Sequence, residues 1–123
     1  MQKFTMTAFS GSIVGATTVY SSTDLNRHLA AADQLAVEVC ADQVSGTVPI
    51  LTVELQHSGD GVNWLTRLGL TTMVLSSSST NVGFGSDDGS TPALGLCRVA
   101  LTLSGTTPAA HVKVHVTGRD AAR

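Results

Sequence analysis

The chain has 123 residues, of which Ser, Thr and Gly supply 41, and only 13% are charged, against a usual share of roughly 25%. The length suits one domain, and 42% hydrophobic residues give enough apolar surface to offset ordering entropy, which excludes a disordered chain. The net charge is -2 with no basic cluster, so the electrostatic footprint of nucleic-acid binding is missing.

The sparse charge carries information of its own. Hydroxyls and glycines stand where a soluble monomer keeps charges of both signs. One reading is a monomer solvated by Ser and Thr; the other, which we expect, is an oligomer or assembly subunit covered by its neighbours. Met1–Thr7 alternates and lacks the apolar run of a secretion signal. Nothing approaches the ~20 apolar residues of a spanning helix, so no membrane contact is expected. Without an export signal a reduced compartment is the default expectation, and Cys40 and Cys97 are too few for a disulfide framework.

In chain order, the dominant hydrophobic period is two rather than 3.6. Lys3–Phe9 and Ile13–Tyr20 read as weak strands. Phe4, Met6 and Ala8 alternate against Thr5 and Thr7, so residues 1–12 are expected to form an arm or edge strand that adds to a neighbour's sheet. That makes Phe4 and Met6 candidate interface residues, with 13–123 as the folded domain. Thr23–Ala32 has the start signals for one or two helical turns. Leu35–Cys40 puts Leu35, Val37 and Val39 on one face, and Leu51–Gln56 does the same with Leu51, Val53 and Leu55. Trp64–Leu68 and Leu70–Leu75 are weaker strands, and Ser76–Pro92 is a Gly- and Ser-rich loop or a loop holding a short strand. Leu96–Leu103 aligns Cys97, Val99, Leu101 and Leu103. His111–Thr117 turns Val112, Val114 and Val116 inward and four polar residues outward. About seven to eight short strands with tight turns predict an all-β chain, a single antiparallel β-sandwich or jelly-roll-like domain.

Ser58-Gly59-Asp60-Gly61-Val62-Asn63-Trp64 is the most specific stretch. Asp60-Gly61 supplies the φ > 0 geometry of a tight hairpin turn. Trp64 then opens the return strand and is expected to anchor the end of the core, its indole N–H toward the turn. Asp60 and Asn63 also offer oxygens to calcium. That ion takes about six to eight oxygen ligands and only one carboxylate lies here, so Asp60, Gly61, Asn63 and Trp64 read as a structural turn and core anchor. Asp87-Asp88-Gly89 reads as a solvated turn, because adjacent side chains diverge.

His111 and His115 share a strand face but sit ~13 Å apart along it, too far for one metal with Zn–N bonds near ~2 Å. With His28 and His57 equally isolated, the four histidines read as exposed or interface residues. The outward set His111, Lys113, His115 and Thr117 would suit an acidic neighbouring surface and respond to mild acid. Strand parity places Cys97 with Val99 in the core and Cys40 with Glu38 on the opposite face, which disfavours a disulfide between them. No nucleophile motif or phosphate loop is present. No catalytic residue, metal or cofactor is expected, and the chain is read as not an enzyme.

The run from Val53 through Ser58-Gly59-Asp60-Gly61-Val62-Asn63 to Trp64 resembles a hairpin found in small β-sandwich proteins of tailed bacteriophage virions. The final stretch from Cys97 to Arg119 is similar to the closing hairpin of such proteins. Together the matches cover about residues 35–68 and 94–119. The resemblance implies a virion structural protein made in the host cytoplasm, most simply a head decoration or minor capsid subunit. It would contact itself, with a trimer favoured, and a major capsid or tail protein. Two alternatives stay open: a phage tail component, and a carbohydrate-binding sandwich, because discoidin-like modules carry a similar Ser-x-Asp-Gly-x-x-Trp hairpin.

Overall fold

A computed structural model describes residues 3–21, 34–87 and 96–119. The helical turns expected within Thr23–Ala32 and the Asp88-Gly89 part of the expected turn lie outside these residues. The described chain forms seven strands: β1 (Lys3–Val14), β2 (Thr17–Tyr20), β3 (Gln34–Ser58), β4 (Leu65–Gly69), β5 (Met73–Val74), β6 (Asn81–Asp87) and β7 (Leu96–Arg119). All pairings are antiparallel, within one hydrogen-bonded sheet. The fold is all-β, as the period-two patterning predicts.

The four clearest strands of the sequence are halves of two. Leu35–Cys40 and Leu51–Gln56 both belong to β3, and Leu96–Leu103 and His111–Thr117 both belong to β7. These two strands pair from Gln34↔Arg119 to Ser58↔Leu96 and form a ribbon through the middle of the molecule. Register breaks gather between Asp42 and Ile50. From Ala41↔Val112 to Leu51↔Leu103, β3 advances ten residues while β7 spans nine. That one-residue offset moves the buried set of β7 from Cys97, Val99, Leu101 and Leu103 to Ala110, Val112, Val114 and Val116, because a single inserted residue reverses the face of every later side chain.

At these breaks the ribbon bends. Gly46 (φ 103) and Gly105 (φ 124) take backbone conformations closed to L side chains. Gln43, Val48 and Thr107 are also at positive φ, a strained state for β-branched residues. Pro49 and Pro108 follow, where a missing N–H costs the interrupted ladder nothing. Their carbonyls accept from the flanking chain: Gly15 N–H donates to Pro108 O at 2.8 Å and Leu75 N–H to Pro49 O at 2.9 Å.

The bend divides the sheet into two leaves. In the first, β1 and β6 flank the ribbon, along residues 109–119 of β7 and 35–41 of β3. In the second, β2 lies beside Ala100–Leu103, and β4 and β5 lie beside β3 from Ile50 to His57. The inner faces of both leaves share one core, from Leu35, Val37, Val39, Val112, Val114 and Val116 to Leu51, Val53, Leu55, Val99, Leu101 and Leu103. Gly83 and Gly85 of β6 leave room for Met73 and Leu70, since an added Cβ would lie 2.7 Å from the Met73 Sδ and 3.1 Å from the Leu70 Cδ1. The open rims of the leaves meet there, which makes a β-sandwich.

The N-terminal segment takes the edge-strand alternative, but within the folded domain rather than before it. Residues 3–14 are an edge strand of the chain's own sheet, paired from Lys3↔Arg119 to Val14↔Ala109. Met6 is half-buried and packs against the core, because its register partner Val116 faces inward. Phe4 pairs with Gly118, and its side chain lies outside the described set.

Candidate functional site

The turn from Ser58 to Asn63 is closed by its own side chains. Ser58 Oγ accepts from the N–H groups of Asp60 (3.2 Å) and Gly61 (2.9 Å) and donates to Asp60 Oδ1 (3.0 Å). The same Oδ1 accepts from the N–H groups of Val62 and Asn63, both at 2.8 Å, and Oδ2 accepts from Asn63 Nδ2 at 2.8 Å. Hydrogen bonds from the Asn63 and Val62 backbone, then from the Asn63 and Ser58 side chains, hold the Asp60 carboxyl well below the usual carboxylate range. Both of its oxygens are committed to the turn, and Gly61 supplies the positive φ of 79. Asp60, Gly61 and Asn63 thus form a self-capped turn.

Trp64 does not sit in the core. Its ring is half-buried and lies on the outer face of the second leaf, with the Arg98 guanidinium carbon 4.1 Å from its centroid. The same carbon lies 3.9 Å from the centroid of Tyr20, so Arg98 contacts both rings, in the geometry of a cation–π pair. Arg98 Nε–H donates to Gln56 Oε1 at 2.8 Å. Gln56 Nε2 in turn donates to Glu54 Oε2 (3.1 Å), which also accepts from Thr66 Oγ1 (3.3 Å). The result is a polar network with two aromatic rings on a sheet face. A register break explains the displacement of Trp64, which has the same parity as Leu68. The extra residue between Thr66↔Gln56 and Leu68↔Leu55 turns Leu68 onto the core and leaves Thr66 and Trp64 on the outer face.

The first leaf carries the other predicted residues. His111, Lys113 and His115 lie on its outer face, as the alternation requires, but they do not face an empty neighbourhood. His115 pairs with Glu38 and His111 with Asp42 across β3, while Lys113 pairs with Cys40. On the far side, His115 lies opposite Thr7, whose Oγ1 is 3.3 Å from Nδ1, and Thr5 and Thr117 join through their hydroxyls at 3.0 Å. On β6 the same face continues with Val82 opposite Cys40 and Phe84 opposite Glu38. Those two apolar side chains are 64% and 66% exposed.

His57, expected to be exposed, is buried. It keeps the inward parity of Leu51, Val53 and Leu55 to the end of β3 and lies opposite Cys97. Cys97 is buried and Cys40 half-buried on the outer face, and neither is in a disulfide. Burial pushes the Cys97 thiol up, opposed by the charge of Arg67. Among the described residues no three His, Cys, Asp or Glu side chains gather to hold a metal ion.

Tyr20, Arg98, Gln56 and Phe84 were not singled out from sequence. Arg98 and Gln56 occupy outward positions of well-patterned strands, but only the pairing of β2 with β7 and of β7 with β3 brings Tyr20, Arg98 and Gln56 together.

The two-leaf arrangement defines the class: an antiparallel β-sandwich. No protein-family model and no curated protein matches the sequence. Solved structures align with most of the chain. The CBM22-1–GH10 modules of the Clostridium thermocellum xylanase, solved with xylohexaose, align over 93% of this chain and 24% of that one, with TM-score 0.62 and 7% identity. The infectious bursal disease virus Gx strain structure aligns over 96% of this chain and 32% of that one, with TM-score 0.53 and 16% identity. A disulfide-linked pilus protein of Bacillus endospore appendages covers 98% of this chain and 93% of its own, at TM-score 0.48 and 12% identity. This chain spans only about a quarter and a third of the first two.

Proposed function

We propose that this chain is a non-enzymatic structural subunit of a phage virion, most simply a capsid decoration or minor capsid protein that works through protein–protein contacts. The observation that carries this reading is the outer face of β6, where Val82 and Phe84 stand more than 60% exposed in a chain with only 13% charged residues. Exposed apolar side chains grouped on one sheet face mark interaction surfaces. The hairpin resemblance at Val53–Trp64 and the β-sandwich likeness to a virus structure support the virion setting. Sedimentation velocity over a range of concentrations tests the reading. Species growing with concentration support it, and a 12.6 kDa monomer throughout counts against it.

A second reading has its own observation. Tyr20, Trp64 and Arg98, with Gln56, Glu54 and Thr66, form a face bearing aromatic rings and hydrogen-bonding groups. Sugar-binding sites combine these chemistries, and a structure solved with xylohexaose has this fold. Calorimetric titration with xylo-oligosaccharides tests it: heat saturating at a defined ratio, and lost in Tyr20→Ala, favours a carbohydrate-binding module over an assembly subunit.

A further inference from the structure

The outer face of the first leaf is arranged in columns of different chemistry. Across the sheet, β1 contributes hydroxyls (Thr5, Thr7, Ser12) and β7 contributes His115, Lys113 and His111. Next comes an acidic column on β3, Glu38 and Asp42 on either side of Cys40, and then the apolar pair Phe84 and Val82 on β6. The basic and acidic columns are adjacent and in register, with His115 beside Glu38 and His111 beside Asp42. Glu38, Asp42 and Lys113 are exposed, and the two imidazoles are half-exposed.

We propose that this face pairs with the same face of a second copy about a two-fold axis that runs parallel to the strands between β3 and β7. That rotation exchanges the two columns. The second copy's Glu38 comes over His115 and its Asp42 over His111, while its Phe84 lands on Thr7 and its Val82 on Ser10 of β1. A two-fold axis perpendicular to the strands would instead stack β7 on β7 and β3 on β3, setting like charges against each other, which is costly. Charge complementarity therefore selects one orientation, and the interface is isologous. Four strands at ~4.8 Å spacing over about eight residues at ~3.3 Å give ~500 Å² per copy. The total of about 1,000 Å² reaches the lower bound of a specific interface.

The inference rests on the assembly reading and specifies its contact, replacing the trimer expected from sequence with a two-fold pair. The groups facing the two imidazoles are Thr7 and Ser12 on β1, Glu38 and Asp42 on β3, and Lys113 and Thr117 along β7, so association should weaken in high salt.

The test is the dimer dissociation constant from concentration-dependent light scattering, for the full chain and for Phe84→Ser, Glu38→Lys, His115→Glu and the Glu38→Lys/His115→Glu double variant. Thermal melts confirm that each variant is folded. Each single change should weaken association about tenfold or more, as like charges meet or the apolar rim is lost. The double variant, which exchanges the pair, should return to within about threefold of wild type. A wild type that oligomerises with the same constant in all variants overturns this face and leaves the assembly reading standing. A wild type that stays monomeric at every concentration, in low salt, overturns both.

Discussion

The guanidinium carbon of Arg98 lies 4.1 Å from the centroid of the Trp64 ring, so the only tryptophan is held by a cation on the sheet surface and not by the core. Truncation should therefore be mild. Trp64→Ala is expected to cost about 1–2 kcal/mol, the scale of a partly exposed cation–π contact. Leu101→Ala, at a position with no exposed surface, should cost about 2–5 kcal/mol. Arg98→Lys should lose most of what Arg98→Ala loses, because an ammonium cannot stack flat on the rings while donating Nε–H to Gln56. Urea denaturation of the four variants gives the comparison.

The ribbon bend depends on two glycines that face each other's strand. A Cβ on Gly46 would lie 2.7 Å from both the Pro108 Cα and the Thr107 carbonyl oxygen, and one on Gly105 would lie 2.7 Å from the Val48 carbonyl oxygen. Gly15 also has a positive φ, 86, but nothing within 4 Å of its added Cβ. Gly15→Ala should cost only the left-handed backbone penalty of about 1–2 kcal/mol. Gly46→Ala and Gly105→Ala add a clash with backbone that cannot step aside, and should cost about 3 kcal/mol or more. Thermal melts that rank all three alike would contradict the bend.

Asp60 sets an acid limit on the turn. Its folded carboxyl is held below the unfolded value by the Asn63 and Val62 N–H groups. The stability it contributes is therefore present above the unfolded value near ~3.9 and is lost as pH falls from there toward the folded value. Melting temperatures of wild type and Asp60→Asn should differ by a constant amount between pH 5 and 7. The gap should narrow below about pH 4. A gap that stays constant to pH 2 would show that the carboxylate is not the group holding the turn.

The two thiols should separate in reactivity. Cys97 is fully buried and its thiol is pushed up by burial, while Cys40 is half-buried on the outer face. Under native conditions a thiol reagent should modify one cysteine per chain, and peptide mapping should place it at Cys40. Denaturant should release the second.

Strand identity was legible because inward valines and leucines alternate with polar residues along each segment, as in Val112, Val114 and Val116. The continuity of β3 and β7 was not, since the bend at Gly46 and Gly105 interrupts the alternation with a one-residue offset that looks like two strand ends. The Asp60 turn was legible because its bonds are local, within Ser58–Asn63. His57 was misplaced although the alternation of Leu51, Val53 and Leu55 already carries it inward. Trp64 and Met6 were misplaced because their positions follow from long-range pairing, the register break between β3 and β4 and the match Met6↔Val116. The Tyr20–Arg98–Trp64 cluster joins three distant segments and leaves no local signal.

The central claim is that the exposed face of the first leaf is covered by protein in the working particle. Size-exclusion chromatography with light scattering, run side by side on wild type and Phe84→Ser, tests it most directly. The account predicts a wild-type mass that is a multiple of 12.6 kDa and a shift toward the single-chain mass in Phe84→Ser, with melting temperatures nearly equal because residue 84 is exposed. One peak at 12.6 kDa for both proteins at every concentration would contradict it.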